Sequence, residues 1–219
     1  MLLIGSDSNF YKCINRIILV MRILAASDLH SNKKKAEKLA KKAVKEKVDL
    51  VLLGGDIIEM GSTEGMIKPF KKAGIEVLMV HGNHDDPTDI DFLSKKYGKG
   101  VYNLHSYYKE FDNVVIIGAG GTDFTPFGLS NKDLFARITD KIKSTKKKTI
   151  ILAHEPPFET KLDDLGWMNV GSREMRKLIE NYNPDLVLCG HIHEKFGLTD
   201  YIGKTKIINT GSDGVIIDL

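Results

Sequence analysis

Cysteine is scarce in this chain of 219 residues: there are two, Cys13 and Cys189. They offer neither a disulfide framework nor a Cys-rich zinc site, which favours a reducing, cytoplasmic location. Cys189 closes the apolar run Leu186-Val187-Leu188-Cys189 and reads there as a small buried hydrophobe. An excess of one charge is also missing, since the net charge is +3. Lys33-Lys34-Lys35, Lys41-Lys42 and Lys146-Lys147-Lys148 read as solvated helix faces and ends, so a polyanion partner is not demanded. No apolar run is long enough to span a bilayer, because residues 17–26 are broken by Arg22. A signal peptide could be read from Lys12 and Arg16 ahead of that run and Ala25-Ala26-Ser27 behind it, but cleavage there would remove the first core strand. Met21 as the natural start, with residues 1–20 as an extension, explains the segment more simply. Linkers, low-complexity tracts and solenoid repeats are absent, so residues 21–219 read as a single domain. The composition, 42% hydrophobic and 28% charged, is that of a globular protein able to bury a sizeable core.

What is present is an alternation of apolar runs and amphipathic stretches. Strands are expected at residues 22–27, 50–53 and 77–80, the last an apolar run of the kind buried on both faces in a parallel sheet. Between the first two, Ala36, Leu39, Ala40, Ala43 and Val44 recur at helical spacing behind a cap at Ser31 or Asn32. A short helix over 63–73 must begin or kink at Pro69, and another is expected over 88–97. Further strands are expected at 101–104, 107–111, 114–117, 149–153 and 185–189, and at 196–202, 205–209 and 215–218 in the tail. Leu134, Ile138 and Ile142 mark a helix that starts at Ser130 or Asn131, and Ser172 caps one that runs to about 181. The economical fold is α/β, a two-sheet β-sandwich with helices outside.

The chemistry sits just past the strand ends, where open α/β sheets bind ligands. Asp28 and His30, Asp56, Asn83 and His84, His154, and His191 and His193 all lie there. A loop built only to turn would use Gly, Pro, Asn, Asp or Ser rather than histidine. Residues two apart on a strand point the same way, so Asp28/His30 and His191/His193 can each aim a pair at one place if the extended conformation persists. Carboxylate, imidazole and amide donors without thiolate suit Mn, Fe, Ni, Co or Zn. There are too many donors for one tetrahedral ion. One carboxylate between two donor sets suits a bridge, so two ions sharing Asp56 are expected. Such a pair can bind a phosphoryl group and generate a nucleophile from bridging water.

Asp28-Leu29-His30, Gly55-Asp56, Gly82-Asn83-His84-Asp85, His154 and Gly190-His191-Ile192-His193 together resemble the motif set of the calcineurin-like metallophosphoesterase superfamily. The resemblance runs from Met21 almost to the end of the chain, in order and with no motif broken. It implies the four-layer α/β/β/α metallophosphoesterase fold. It also implies one ion held by Asp28, His30, Asp56 and His193 and another by Asp56, Asn83, His154 and His191, manganese being one candidate. His84 would be the catalytic imidazole, assisting the leaving oxygen, with Asp85 orienting it. His154-Glu155-Pro156-Pro157, Gly171-Ser172-Arg173 and Gly190-His191-Ile192-His193-Glu194 look most like the small Icc-related phosphoesterases, which are similar to class III cyclic-nucleotide phosphodiesterases.

The expected activity is therefore hydrolysis of a small phosphate ester, a diester for preference, by a metal-bridging hydroxide. A nuclease on the same centre ranks lower, because the basic clusters are spread over separate helices and no nucleic-acid module is evident. A non-catalytic scaffold of this fold, like the retromer subunit that uses it to bind proteins, is disfavoured because every donor and His84 are retained. A homodimer would be unsurprising from the resemblance. His81 and His105 fall outside the pattern and read as structural, and Asp86 as a turn residue before Pro87. Gly118-Ala119-Gly120-Gly121 fails as a dinucleotide fingerprint, because Asp123 stands at the third glycine's place and no helix follows directly. Phe124, Phe127 and Trp167 could line a substrate pocket, although ordinary packing serves them as well, and Arg173 reads as an exposed helix residue.

Overall fold

The apolar runs assort into two sheets that pack face to face. In the computed structural model, which describes residues 21–59, 62–123, 128 and 132–219, the first sheet has the order β11-β1-β2-β3-β4. Its strands are β1 (Arg22–Ala26), β2 (Leu50–Gly54), β3 (Glu76–Val80), β4 (Val101–Asn103) and β11 (Val215–Asp218). The second has the order β5-β6-β7-β8-β10-β9, from β5 (Tyr108–Glu110), β6 (Val114–Ala119), β7 (Lys148–Ala153), β8 (Leu186–Cys189), β9 (Thr199–Ile202) and β10 (Thr205–Asn209). The inner strands of each sheet run parallel, and β11, β5 and β9 pair antiparallel at the edges.

Burial on both faces explains why the central strands read as unbroken apolar runs. Ile23, Leu52, Leu78 and Val80 of the first sheet meet Ile116, Ile150, Leu152 and Leu188 of the second in a core between the sheets. The opposite face of the first sheet is covered by α1 (Lys33–Lys45), α2 (Lys68–Lys72) and α3 (Pro87–Tyr97), through Leu39, Phe70 and Leu93. The second is covered by α4 (Lys132–Ser144) and α5 (Arg173–Tyr182), through Leu134, Ile138, Met175 and Leu178. The result is the expected α/β sandwich flanked by helices, and among the described residues no helix is long and apolar enough to cross a membrane.

Local departures have local causes. Asn32 caps α1 by accepting from the Lys35 N–H at 3.1 Å, but Val44, placed on the apolar stripe by its spacing, is 57% exposed. The α2 helix is shorter than its expected 63–73, with Pro69 in its first turn. Asp86 does more than turn the chain: its carboxylate caps α3 by accepting from the Thr88 N–H at 2.8 Å. The strand expected from 196 starts only at Thr199, because His193–Lys195 winds into a 3₁₀ turn. Residues 1–20, the start of α4 at Ser130 or Asn131, and Phe124 and Phe127 lie outside the described residues.

Candidate metal centre

The parallel strands β1, β2, β3, β7 and β8 deliver their following residues to one edge of the sandwich. After β1, β2 and β8 the chain leaves the extended conformation within two residues. Among the described residues nine non-glycines have positive φ, and four of them are expected ligands: Asp28 (57°), His30 (46°), Asp56 (49°) and His191 (71°). Asp28 and His30 converge through left-handed turns, which corrects the expectation that strand alternation aims them. A left-handed L-residue costs on the order of 1–2 kcal/mol, so each needs support. Part of it is main-chain: the Asp28 N–H donates to Gly55 O at 2.9 Å and the His30 N–H to Asp56 O at 2.9 Å. The motif glycines leave room for a neighbour's carboxylate. A Cβ on Gly82 would lie 2.0 Å from Asp56 Oδ1, and one on Gly190 would lie 2.3 Å from Asp28 Oδ2.

Among the described residues three groups of donors result, each with its ligating atoms within 4.8 Å of one another, and two of them consist of expected ligands alone. In one, His193 Nε2 is 3.5 Å from Asp28 Oδ1 and 3.3 Å from His30 Nε2. In the other, Asp56, His154 and His191 converge. There His154 Nε2 lies 3.4 Å from Asp56 Oδ2 and 3.0 Å from Asn83 Oδ1. Asp56 Oδ2 also stands 3.8 Å from His30 Nε2, so this carboxylate reaches both groups. His191 and His193, two residues apart, go to different groups, the opposite of the parallel aim expected from strand geometry.

The outer partners fit a cation. Fully buried His154 donates its Nδ1–H to Gly54 O at 2.9 Å, which leaves Nε2 to face the cluster. Burial pushes the His154 imidazole down, but the hydrogen bond and charge of Asp56 outweigh it and raise it to about 9. Burial likewise opposes ionisation of Asp56, yet its bond to His154 holds that carboxyl well below the usual carboxylate range. Burial and the neighbouring His154 charge push His191 down to about 4. A buried carboxylate that must share a proton with one imidazole, with neutral His191 beside it, is a donor set that a divalent ion can complete.

The two residues expected to act on the reacting group are placed differently. The His84 side chain is exposed at the rim, its ring centroid 5.2 Å from that of His30, and its own N–H donates to Asp56 Oδ1 at 2.9 Å. Asp85, expected to orient His84, is buried. Its carboxylate accepts from the main-chain N–H groups of Gly82 (2.7 Å), Ile57 (3.2 Å) and Ile58 (2.6 Å). Burial raises Asp85 to about 6 against those bonds.

Three participants lie outside the expected ligand and catalytic set. Glu59 Oε2 lies 3.9 Å from His30 Nδ1 and groups with His30 and His84, although its only signal is a charge three residues past Asp56. Glu155, buried beside His154, accepts from the Asp123 N–H at 2.7 Å and is raised by burial to about 8. Asn209 ends β10 at the same edge of the sandwich. Elsewhere, His81 and His105 pack with ring centroids 4.4 Å apart and join no metal group among the described residues; burial lowers them to about 3 and about 4. Trp167 is 79% exposed, and the Arg173 guanidinium lies over the Phe158 ring at 3.6 Å.

Residues 21–195 match the family described as calcineurin-like phosphoesterase. The chain is 30% identical over 204 residues to an uncharacterized protein, MJ1162, of Methanocaldococcus jannaschii, with 88% of this chain and 89% of that one covered. Among solved structures it is similar to TT1561 of Thermus thermophilus, with a TM-score of 0.71 at 20% identity over 89% of this chain and 91% of the other. A dimetal phosphatase from Danio rerio gives a TM-score of 0.62 at 12% identity, with 87% of each chain covered. At these identities the two structures share the fold.

Proposed function

Because the chain belongs to the calcineurin-like phosphoesterase family, we propose that it hydrolyses a phosphate ester, preferring diesters, at a centre of two divalent ions. The observation that carries this reading is Asp56, whose Oδ2 stands 3.8 Å from His30 Nε2 in one donor group and 3.4 Å from His154 Nε2 in the other. Asp28, His30 and His193 would hold one ion with Asp56. Asn83, His154 and His191 would hold the second with the same carboxylate. The ions would activate water and offset charge on the transferring phosphoryl group. The N and O donors without thiolate suit Mn, Fe, Co, Ni or Zn.

The protein's own contribution is positional and protic. His84, exposed at the rim beside His30, gives a proton to the departing oxygen. Asp85 keeps the loops bearing Asp56 and His84 together through main-chain bonds. The preference for a small diester rests on the likeness of residues 154–157 and 190–194 to the Icc-related phosphoesterases. A nuclease on the same centre gains from one observation. Lys33, Lys41, Lys45, Lys68 and Lys72, scattered in sequence, line one groove of ≈ 630 Å³ between α1 and α2, although Lys33 is paired with Glu64 at 2.8 Å and none of the expected ligands lines the groove.

The test is hydrolysis of bis-p-nitrophenyl phosphate, p-nitrophenyl phosphate and a single-stranded oligonucleotide by chelator-stripped protein supplied with Mn, Co, Ni, Zn or Mg. Metal-dependent turnover of the diester above both alternatives is expected. His84→Ala should lower it about 10²–10⁴-fold with metal content unchanged. Faster cleavage of the oligonucleotide would replace this reading with the nuclease. Near-parental turnover in His84→Ala would remove that residue from catalysis.

A further inference from the structure

We propose that Asn209 is a positioning residue of the metal centre, clamping the loop that carries His191. Asn209 ends β10 and is fully buried. Its amide nitrogen donates to Gly190 O at 3.1 Å and to Ile192 O at 3.0 Å, the carbonyls on either side of His191. Both acceptors are carbonyls, so the NH₂ end must face them. The residue spanned by this fork is left-handed at φ 71°, a conformation that persists only when the surroundings over-determine it. On its other side the His191 N–H is taken by the Asp28 carboxylate at 3.1 and 3.2 Å. His191 is thus fixed between a ligand of the other donor group and one side-chain amide.

The neighbours of Asn209 continue the same tie. The Thr210 N–H donates to Cys189 O at 2.8 Å, and Thr210 Oγ1 lies 3.1 Å from both Cys189 O and Ser27 Oγ. The Ser27 N–H donates to Gly211 O at 3.0 Å. Asn209-Thr210-Gly211 therefore joins the exit of β8, just before His191, to the exit of β1, just before Asp28. Asn209 Oδ1 is buried without a partner among the described residues, which is costly compared with an apolar side chain. What an apolar side chain could not supply is the pair of donors that hold His191.

This inference rests in part on the reading of His191 as a ligand, and its test separates the two. Asn209→Asp keeps the volume and, as a carboxylate, loses both donors. Thr205→Val, on the same strand, removes the buried hydrogen bond from Thr205 Oγ1 to Pro184 O (2.6 Å) at the end away from the site and serves as the structural control. On chelator-stripped protein, Mn²⁺ titration should show about ten- to a hundred-fold weaker binding in Asn209→Asp and parental affinity in Thr205→Val. In a His191→Ala background, Asn209→Asp should cost little further affinity. Hydrogen exchange over 190–193 in metal-free protein should quicken in Asn209→Asp alone, which tests the clamp even if the parent takes up no metal. Should Asn209→Asp fail to fold, Asn209→Ser, which keeps one donor, should give an intermediate shift in both measurements. Affinity within two-fold of the parent with unchanged exchange at 190–193, or equal losses in Thr205→Val, would overturn the inference.

Discussion

His154 carries the electrostatics of the site. It is buried, with one nitrogen committed to Gly54 O and the other turned to Asp56 and Asn83. Its raised value, about 9, means that below that pH a metal ion must displace a proton from the His154–Asp56 pair. In metal-free protein the charged pair stabilises the fold fully below the unfolded histidine value of about 6.5, and that contribution fades as pH rises through about 9. Metal affinity runs the other way and should rise roughly tenfold per pH unit from 7 towards 9. Competition titrations with a calibrated chelator over that range check it, and a flat profile would show that His154 is not displaced. At this scale much of the site was legible. Asp28, His30, Asp56, Asn83, His154, His191 and His193 are donor types standing after apolar runs. Their convergence was not legible for the reason first given, because φ at Asp28 and His191 is supported by hydrogen bonds to other loops, from the Asp28 N–H to Gly55 O and from the His191 N–H to the Asp28 carboxylate.

At the scale of elements, Asp85 shows how a motif residue can serve its neighbours' backbone. It stands after β3 and accepts from Ile57 and Ile58, which follow β2. Asp85→Ala would leave three buried N–H groups without their acceptor. Urea unfolding should therefore show a loss of about 2–4 kcal/mol, with weakened metal binding as Asp56 and Asn83 part. A variant with an unchanged midpoint and only a lowered kcat would return Asp85 to the role of partner for His84. Strands were the most legible elements, since β2 and β6 are buried throughout and read as continuous apolar runs. Helix ends and the 193–198 segment were less so. Val44 fits the apolar spacing of α1 but lies 57% exposed, and the 3₁₀ turn at His193–Lys195 replaces the start of an expected strand. Asn209 left no trace in the sequence, because its partners are carbonyls that any residue carries.

Over the whole molecule, the sandwich gives two independent supports to one centre. Asp28, Asp56 and Asn83 follow strands of the first sheet, and His154, His191 and His193 follow strands of the second. The inter-sheet core of Leu52, Leu78, Leu152 and Leu188 sets the spacing between those supports. Each donor group draws on both sheets, Asp28 with His193 and Asp56 with His154 and His191. With Asp56 within reach of both groups, the centre should take up two ions. This is tested most directly by adding Mn²⁺ stepwise to chelator-stripped protein while bis-p-nitrophenyl phosphate hydrolysis and bound metal are followed together. Little turnover is expected through the first equivalent, a rise with the second, and loss of both ions from Asp56→Ala. Full activity at one bound equivalent, with a second ion neither taken up nor needed, would contradict the two-ion centre.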